Sequence, residues 1–186
     1  RGAGEAAEKG ILMRTGEAFQ GYRLVRQIAF DKTGTLTEGR PRVHEVEAVS
    51  GDSDQVLMLA AAAEANSEHP LAAAVVDAAF DDGLTPSTSD SFEATPGKGV
   101  AALVDGQDVL VGSPRFLEES GIELSLMRQR IEALEGMGRT VIAVARDGSL
   151  VGLLALGDAA RAEAAPTIAR LREAGVRTVL VTGDNR

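Results

Sequence analysis

The residues best suited to chemistry form one short stretch, residues 31–37, with the sequence Asp-Lys-Thr-Gly-Thr-Leu-Thr. The apolar run at 27–30 precedes it and predicts a buried strand that ends at the carboxylate of Asp31. In an open parallel sheet, catalytic groups gather at the carboxyl ends of the strands. Aspartate is an accepted nucleophile for phosphoryl groups, with which it forms an aspartyl-phosphate. The competing interpretation is an ordinary turn in which Asp31 acts as a cap.

The residues beside Asp31 fit the same chemistry. Transfer of a γ-phosphate builds charge on the transferred oxygens, so catalysis depends on positioning and neutralisation. Lys32 brings a cation next to the nucleophile, although it would equally pair with an acid at the surface. Thr33 and Thr35 offer hydroxyl and carbonyl oxygens to phosphate or Mg²⁺. Gly34 allows the backbone to approach a ligand closely.

A second loop of similar composition follows the apolar run at 176–181, which predicts another strand. Thr182, Gly183 and Asp184 supply a hydroxyl, a flexible backbone and an acid. Such a tripeptide is common in ordinary turns, so its place at the end of a strand is what makes it a candidate.

Composition limits the classes of function. At 186 residues, the chain can form one large domain or two small ones, and a hydrophobic fraction of 44% supports packed cores. The net charge of −9 argues against a nucleic-acid partner, because phosphate backbones require a basic surface. The absence of cysteine excludes disulfides and thiolate metal sites, and two histidines are too few for a zinc centre.

Membrane segments are not expected in this stretch of sequence. No signal peptide is recognisable, and the longest apolar runs are far shorter than the ~20 residues of a membrane helix. If the chain belongs to a membrane protein, we expect its membrane-spanning part to lie outside these residues.

The elements that must position these loops suggest two domains. Helices are predicted at 55–66, 70–80, 124–135 and 161–174, and a strand at 42–49. Asp-Gly pairs at 105–106 and 147–148, each between apolar runs, predict two β-hairpins. The hairpins imply an antiparallel sheet, inserted between outer strand-and-loop units that imply a parallel sheet. The predicted fold class is therefore α/β with an inserted α+β domain.

Two motifs together resemble one family. The whole of residues 31–37 resembles the phosphorylation signature of the P-type ATPases, ion pumps of the haloacid-dehalogenase-like superfamily. Ser-Glu-His-Pro-Leu at 67–71 resembles the nucleotide-binding signature of their heavy-metal subfamily. The resemblance covers about residues 10–186. It implies a lead segment from the membrane part at 1–20, an incomplete Rossmann-like phosphorylation domain at 21–39 and 155–186, and a nucleotide-binding domain at 40–154.

The resemblance assigns roles in the first loop. It implies that Asp31 is phosphorylated by ATP, that Asp31 and the carbonyl of Thr33 bind Mg²⁺, and that Thr35 holds the phosphate. Lys32 completes this catalytic set.

The resemblance also covers the second half of the phosphorylation domain. It implies that Thr182 and Gly183 contact the phosphate and that Asp184 supports nucleotide or Mg²⁺. Asp158 and Arg161 resemble an Asp-x-x-Arg element at the second hinge of the family. The alternative for this pair is a helix cap with a nearby ion pair.

In the inserted domain, the resemblance implies that His69 contacts the adenine of ATP and that Glu64 meets the adenine edge. With an aromatic content of 3%, an imidazole is a reasonable surface for a base. The alternatives are a helix-capping histidine and a glutamate on a solvated helix face. The other histidine, His44, is expected to be an exposed strand residue.

Glycines supply the rest of the expected nucleotide site. Gly97 and Gly99 match a Gly-x-Gly of the family, where bare backbone lets the nucleotide approach, and Lys98 between them would meet a phosphate charge. Gly112 matches a Val-Gly-Asn element, in which Ser113 replaces the usual asparagine.

Two departures from related patterns bear on activity. Phosphatases of the superfamily place a second Asp, as general acid and base, where this chain has Thr33; without it the acyl phosphate should live longer, which suits a pump. The family also completes its Mg²⁺ site with a loop Gly-Asp-Gly-x-Asn-Asp and a preceding Lys, which do not occur before Arg186. We therefore expect a complete nucleotide pocket but inefficient phosphoryl transfer by this chain alone.

The expected function is ATP binding and phosphorylation at Asp31 in a heavy-metal-translocating P-type ATPase, on the cytoplasmic side of a membrane. The inserted domain would close on Asp31 about hinges near Gly39 and Leu156. The transported ion would be bound by membrane helices outside the chain; copper(I) is the first expectation, and zinc, cadmium, lead and cobalt stay open. The alternatives are a stand-alone phosphatase or phosphotransferase of the same superfamily and an ATP-binding module without activity of its own.

Overall fold

The computed structural model describes residues 2–8, 10–12, 15–21 and 24–181. The chain divides into two compact units, one of residues 1–38 with 160–186 and one of residues 39–159. The helices and strands are, in chain order, α1 (Gly2–Glu8), α2 (Gly16–Gly21), β1 (Gln27–Asp31), β2 (Thr37–Ala48), α3 (Ser53–Glu64), α4 (Pro70–Asp81), β3 (Ser89–Thr95), β4 (Gly99–Val104), β5 (Gln107–Gly112), α5 (Pro114–Glu119), α6 (Arg128–Gly136), β6 (Thr140–Arg146), β7 (Ser149–Ala160), α7 (Ala164–Glu173) and β8 (Arg177–Val181). Within the described ranges, no helix has both the length and the apolar character needed to cross a membrane.

In the first unit, β1 and β8 form a parallel pair in which Gln27 lies opposite Arg177 and Asp31 opposite Val181. The helix α7 precedes β8 and stops before Gly175, whose φ of 75° suits a helix end. It begins at Ala164, later than the predicted residue 161, and Pro166 lies in its first turn. Proline lacks a backbone N–H. It is tolerated there because the N–H groups of the first turn have no acceptor within the helix.

The strand β1 is less buried than expected. Ile28 and Phe30 are half-buried, whereas Gln27, Ala29 and Asp31 are exposed. Among the described residues, the sheet that contains β1 has two strands, so β1 is an edge strand with one paired neighbour. The prediction of a strand at 27–30 is confirmed, but the prediction that it is buried is wrong.

The second unit contains a six-stranded sheet with the order β2-β7-β6-β5-β4-β3. The pairs from β3 through β7 are antiparallel. At the two predicted hairpins, Asp105 and Gly106 have φ of 50° and 75°, and Asp147 and Gly148 have φ of 49° and 76°. Two consecutive positive φ angles are what a tight two-residue hairpin turn requires. Both hairpins are therefore confirmed.

Side chains alternate between two cores, one on each face of this sheet. On β6 and β7, Ile142 and Leu154 pack in the core that contains the buried residues of α3 and α4. Their neighbours Ala143 and Leu153 pack in the core that contains residues of α5 and α6. Strand side chains point to opposite faces in turn, so each strand serves both cores. The parallel and antiparallel sheets together confirm the predicted α/β fold class.

Candidate functional site

Asp31 ends β1 with an exposed side chain, in register with Val181 at the end of β8. Since the two strands are parallel, both end at the same edge of the sheet, the edge where ligands bind in open α/β sheets. The candidates Thr182, Gly183 and Asp184 lie outside the described residues. Their contacts with phosphate or nucleotide stay a prediction.

Residues 31–37 form the Asp31 loop, whose backbone is closed by Thr37. The hydroxyl of Thr37 accepts a hydrogen bond from the N–H of Gly34 at 3.1 Å and donates one to the carbonyl of Lys32 at 3.1 Å. Gly34 has a φ of 75°, which glycine adopts without strain. Thr37 is 7% exposed, whereas Thr33 and Thr35 are exposed. Thr37 therefore stabilises the loop, whereas Thr33 and Thr35 are accessible to a ligand.

Arg161, the residue that follows β7, is hydrogen-bonded to the Asp31 loop. Its guanidinium donates to the carbonyl of Gly34 at 3.3 Å, and its backbone N–H donates to the carbonyl of Leu36 at 2.9 Å. This role had no signal in the sequence beyond the spacing of Arg161 from Asp158.

Asp158 binds backbone in the second unit. Its carboxylate accepts hydrogen bonds from the N–H of Gly39, at 3.0 and 2.9 Å, and from the N–H of Arg40 at 3.2 Å. Asp158 lies within β7, and the helix that follows begins at Ala164. The alternative interpretation of Asp158 as a helix cap is therefore wrong.

The second unit contains a cavity of about 280 Å³, the His69 cavity, at one end of the helices α3 and α4. Its lining includes all six residues predicted for the nucleotide site, which are Glu64, His69, Gly97, Lys98, Gly99 and Gly112. Sequence reasoning assigned no ligand contact to three further polar lining residues, Ser67, Thr95 and Thr140. Ser67 belongs to the motif at 67–71, whereas nothing in the local sequence marks Thr95 and Thr140, which the strands β3 and β6 bring to the cavity.

His69 both caps a helix and lines the cavity. It is the N-cap of α4, where its Nδ1 accepts a hydrogen bond from the N–H of Leu71 at 3.2 Å. Since Nδ1 is the acceptor, the proton of the neutral ring lies on Nε2. The helix cap that the alternative interpretation gave is therefore present, and a donor nitrogen remains on the ring of this cavity-lining residue.

Glu64 is the carboxylate of the cavity. It closes α3 and is 7% exposed, so it does not lie on a solvated helix face. Burial raises the pKa of Glu64 above its ordinary value of 4.5, and a hydrogen bond with Ser67 lowers it in part. A carboxyl group of this kind recognises a hydrogen-bond donor on a ligand when ionised, because burial leaves it few partners in water.

Two of the predicted glycines are required by close backbone approach. Gly99 and Gly112 lie opposite each other on β4 and β5. A Cβ on Gly99 would lie 2.3 Å from the carbonyl oxygen of Val111, and a Cβ on Gly112 would lie 2.5 Å from that of Lys98. Either Cβ would also lie 2.7 Å from the ring of Phe116. The third glycine, Gly97, follows Pro96 with a φ of 74° in a turn closed by the 3.0 Å bond from Lys98 N–H to Thr95.

Lys98 is engaged in an ion pair. Its Nζ lies 2.7 Å from Oε2 of Glu119, whose Oε1 lies 2.8 Å from Nε of Arg115. Ser113, in the place of the asparagine of the resembled element, caps α5 by accepting the N–H of Phe116 at 3.3 Å. The hydroxyl of Ser113 therefore stabilises the start of α5.

Comparisons with known proteins identify the family to which the chain belongs. A family model described as haloacid dehalogenase-like hydrolase matches residues 25–186. The copper-transporting ATPase 2 of Rhizobium meliloti (strain 1021) is 42% identical over all of this chain, which spans 22% of that relative. The copper-exporting P-type ATPase B of Archaeoglobus fulgidus is 39% identical over 97% of this chain and 26% of its own length.

Among solved structures, the chain is similar to a zinc-transporting PIB-type ATPase in the E2.Pi state. The TM-score is 0.86 at 39% identity, over 99% of this chain and 30% of that one. The chain thus spans less than a third of each protein compared. The resemblance to the heavy-metal P-type ATPases is confirmed: the chain belongs to the haloacid dehalogenase-like hydrolase family, and its curated relatives are copper-transporting P-type ATPases.

Proposed function

We propose that this chain is the ATP-binding and phosphorylation region of a copper-translocating P-type ATPase, on the cytoplasmic side of a membrane. The observation that carries the proposal is the convergence of all six predicted nucleotide-site residues on the His69 cavity. The chain spans 22% of its Rhizobium relative, so transport is proposed for a longer protein that carries this chain.

The His69 cavity suits the adenosine part of ATP. Its volume of about 280 Å³ is near the lower end of ligand pockets, so it fits a nucleoside better than a whole nucleotide. The Nε2–H of His69 is a donor for a ring nitrogen of adenine, and an ionised Glu64 is an acceptor for its amino group. Glycine backbone at Gly97 leaves room for the ribose or phosphates to pass.

Asp31 is proposed as the nucleophile. One carboxylate oxygen attacks the γ-phosphorus of ATP, the bond from that phosphorus to the bridging oxygen breaks, and ADP leaves with the bridging oxygen. The exposure of Asp31 at the end of β1 supports this role. Lys32 supplies positive charge beside the nucleophile, and Thr35 offers its hydroxyl to the transferred phosphate.

Mg²⁺ would neutralise the charge of the transferred phosphate. Asp31 and the carbonyl of Thr33 offer oxygen ligands of the kind that Mg²⁺ prefers. Within the described ranges, no group of three or more His, Cys, Asp or Glu residues could hold a metal ion by itself. We therefore propose these two residues as part of the site, to be completed by residues beyond the described ones.

Calorimetric titration with ATP tests the nucleotide site. We expect His69→Ala to weaken ATP binding about tenfold or more, since it removes a hydrogen-bond donor and a ring contact from the cavity lining. His44→Ala is the matched control, because His44 is an exposed residue of β2 that does not line this cavity. Unchanged affinity in His69→Ala would refute the adenine site.

Labelling with γ-³²P-ATP tests the nucleophile in the longer protein. We expect an acid-stable, hydroxylamine-sensitive label that Asp31→Asn abolishes and that Asp90→Asn, at an exposed position of β3, leaves in place. Rapid hydrolysis of small phosphate esters without a stable label would favour the phosphatase alternative.

The metal is proposed from the relatives, whose names specify copper. Since the similar solved structure is a zinc transporter, both ions must be compared. We expect phosphorylation of the longer protein to depend on copper(I) and not on zinc. Phosphorylation that depends on zinc and not on copper(I) would identify zinc as the transported ion. The assignments of the ATP site and of Asp31 would not change.

A further inference from the structure

Glu119 joins two cations beside the His69 cavity. Lys98, which lines the cavity, contacts one carboxylate oxygen at 2.7 Å, and Arg115 contacts the other at 2.8 Å. The three side chains form the Glu119 triad, which carries one net positive charge. Without the carboxylate, the same place would carry two.

The backbone holds the triad together. The carbonyl of Lys98 accepts the N–H of Ser113 at 2.9 Å, and the hydroxyl of Ser113 caps α5. That helix carries both Arg115 and Glu119. The ion pairs therefore join segments already in register, and their loss should leave the fold intact.

The charge of Glu119 opposes a phosphate. Hydrogen bonds, first from Lys98 and then from Arg115, hold the pKa of Glu119 below its ordinary value, so the carboxylate is ionised at neutral pH. Of the described residues that line the cavity, Lys98 is the one with a permanent positive charge. Any phosphate that approaches Lys98 must compete with Glu119 for the same ammonium.

We propose that Glu119 is a positioning residue that acts through Lys98 and sets how strongly the cavity distinguishes ATP from AMP. This inference rests on the proposed ATP site. With Glu119 present, the two cations are neutralised in part, and the nucleotide is held mainly by its base. The phosphates of ATP are then bound weakly. Weak binding suits a group that is transferred to a nucleophile.

The physical basis is the dependence of Coulomb energy on the number of charges. Exposed ion pairs are weak because water screens them, so phosphates with several charges displace the carboxylate more readily than those with few. Removing the Glu119 charge should therefore favour ATP over AMP, and salt should reduce the difference.

Calorimetric titration of the whole chain with ATP and with AMP, at low and high ionic strength, tests the inference. We expect Glu119→Gln to tighten ATP binding about three- to tenfold and AMP binding less than about twofold at low salt. Glu118→Gln is the matched control: it removes the same charge from the same helix, and its partner is Arg128, away from the cavity. It should change neither affinity.

A second substitution tests whether Glu119 acts through Lys98. In the Lys98→Met background, Glu119→Gln should lose most of its effect on ATP, because the competing ammonium is gone. If Glu119→Gln fails to fold, Glu119→Ala removes the same charge and takes its place in both backgrounds.

The outcomes separate this inference from the proposed function. If the wild-type chain binds ATP but Glu119→Gln behaves like Glu118→Gln, or changes ATP and AMP equally, the inference is wrong and the ATP site stands. An undiminished effect of Glu119→Gln in the Lys98→Met background also overturns it. If the wild-type chain binds no ATP, both proposals fall together.

Discussion

Glu64 is an acid in a largely apolar place, at the end of α3 with 7% of its surface exposed. Burial is the main cause that raises the pKa of its carboxyl. The raised pKa means that the folded state favours the protonated form more than the unfolded chain does. The resulting stability is fully present below the unfolded pKa and is lost as pH rises through the folded pKa.

We therefore expect Glu64→Gln to unfold at a higher urea concentration than the wild type at neutral pH. The gap should narrow as pH falls through the raised pKa of Glu64, because the wild-type side chain then becomes neutral too. Circular dichroism across a pH series measures both effects. Glu68→Gln, at an exposed position nearby, controls for net charge, and an equal shift in that variant would contradict the argument.

Thr37 stabilises the Asp31 loop, because its hydroxyl is hydrogen-bonded to the backbone of both Gly34 and Lys32. We expect Thr37→Val to lower the free energy of unfolding of the unit that contains it by about 1–2 kcal/mol, because both hydrogen bonds are lost at constant shape. Labelling at Asp31 should fall as well. Thr35→Val, at an exposed position, should cost less than about 0.5 kcal/mol in stability while still reducing the label.

At this scale, the sequence predicts the residue types of the site better than their partners. His69 is predictable because it lies in the local motif at 67–71 and Glu64 because it lies just before that motif, and both line the His69 cavity. The partner of Lys98 was missed, since Glu119 becomes its neighbour only when α5 folds against the hairpin. The hydrogen bonds of Arg161 with the Asp31 loop depend in the same way on distant segments.

At the scale of elements, the facing pair Gly99 and Gly112 limits what β4 and β5 accept. A methyl group at either position meets backbone atoms, which cannot move aside as a flexible side chain can. The two glycines are thus needed by the hairpin itself, whatever ligand the cavity takes.

We expect Gly99→Ala and Gly112→Ala each to destabilise the chain by about 1–3 kcal/mol, through displaced backbone. Gly136→Ala is the control, since a Cβ at that helical position has nothing within 4 Å. It should be neutral or stabilising, because alanine favours the helix. Urea unfolding of the three variants provides the comparison, and equal losses in all three would contradict it.

Strong local signals explain which elements were predicted. The Asp-Gly turns and the helix opened by Pro70 lie where expected. The predicted helix at 124–135 instead divides into a tight turn at Ser125–Met127 and α6. Likewise β2 begins at Thr37, ahead of the predicted 42, because its pairing with β7 extends it through polar residues that carry no strand pattern.

At the scale of the whole chain, Asp158 lies near the boundary between the units, which falls at Gly39 and Ala159. Its carboxylate binds the two amides at the start of the second unit. Asp158 therefore holds the backbone at the first two residues of that unit.

We expect Asp158→Ala to raise amide hydrogen exchange at Gly39 and Arg40 about tenfold, because their shared acceptor is gone. Labelling at Asp31 in the longer protein should fall, while ATP affinity should not change, since Asp158 does not line the His69 cavity. Asp52→Ala, which removes the acceptor of the Asp54 amide at 3.0 Å, should leave exchange at Gly39 unaffected. Unaltered exchange in Asp158→Ala would show that other contacts hold this segment.

The ring of Phe116 against Gly99 and Gly112 has a practical consequence for spectroscopy. The chain has no tryptophan, and its one tyrosine has the number 22, so residues 39–159 of the second unit include no strong intrinsic fluorophore. Phe116→Trp would put a single indole beside two cavity-lining glycines. Its emission would report ligand entry into that unit without background from any other tryptophan, and a spectrum that ATP leaves unchanged while calorimetry records binding would place the ligand elsewhere.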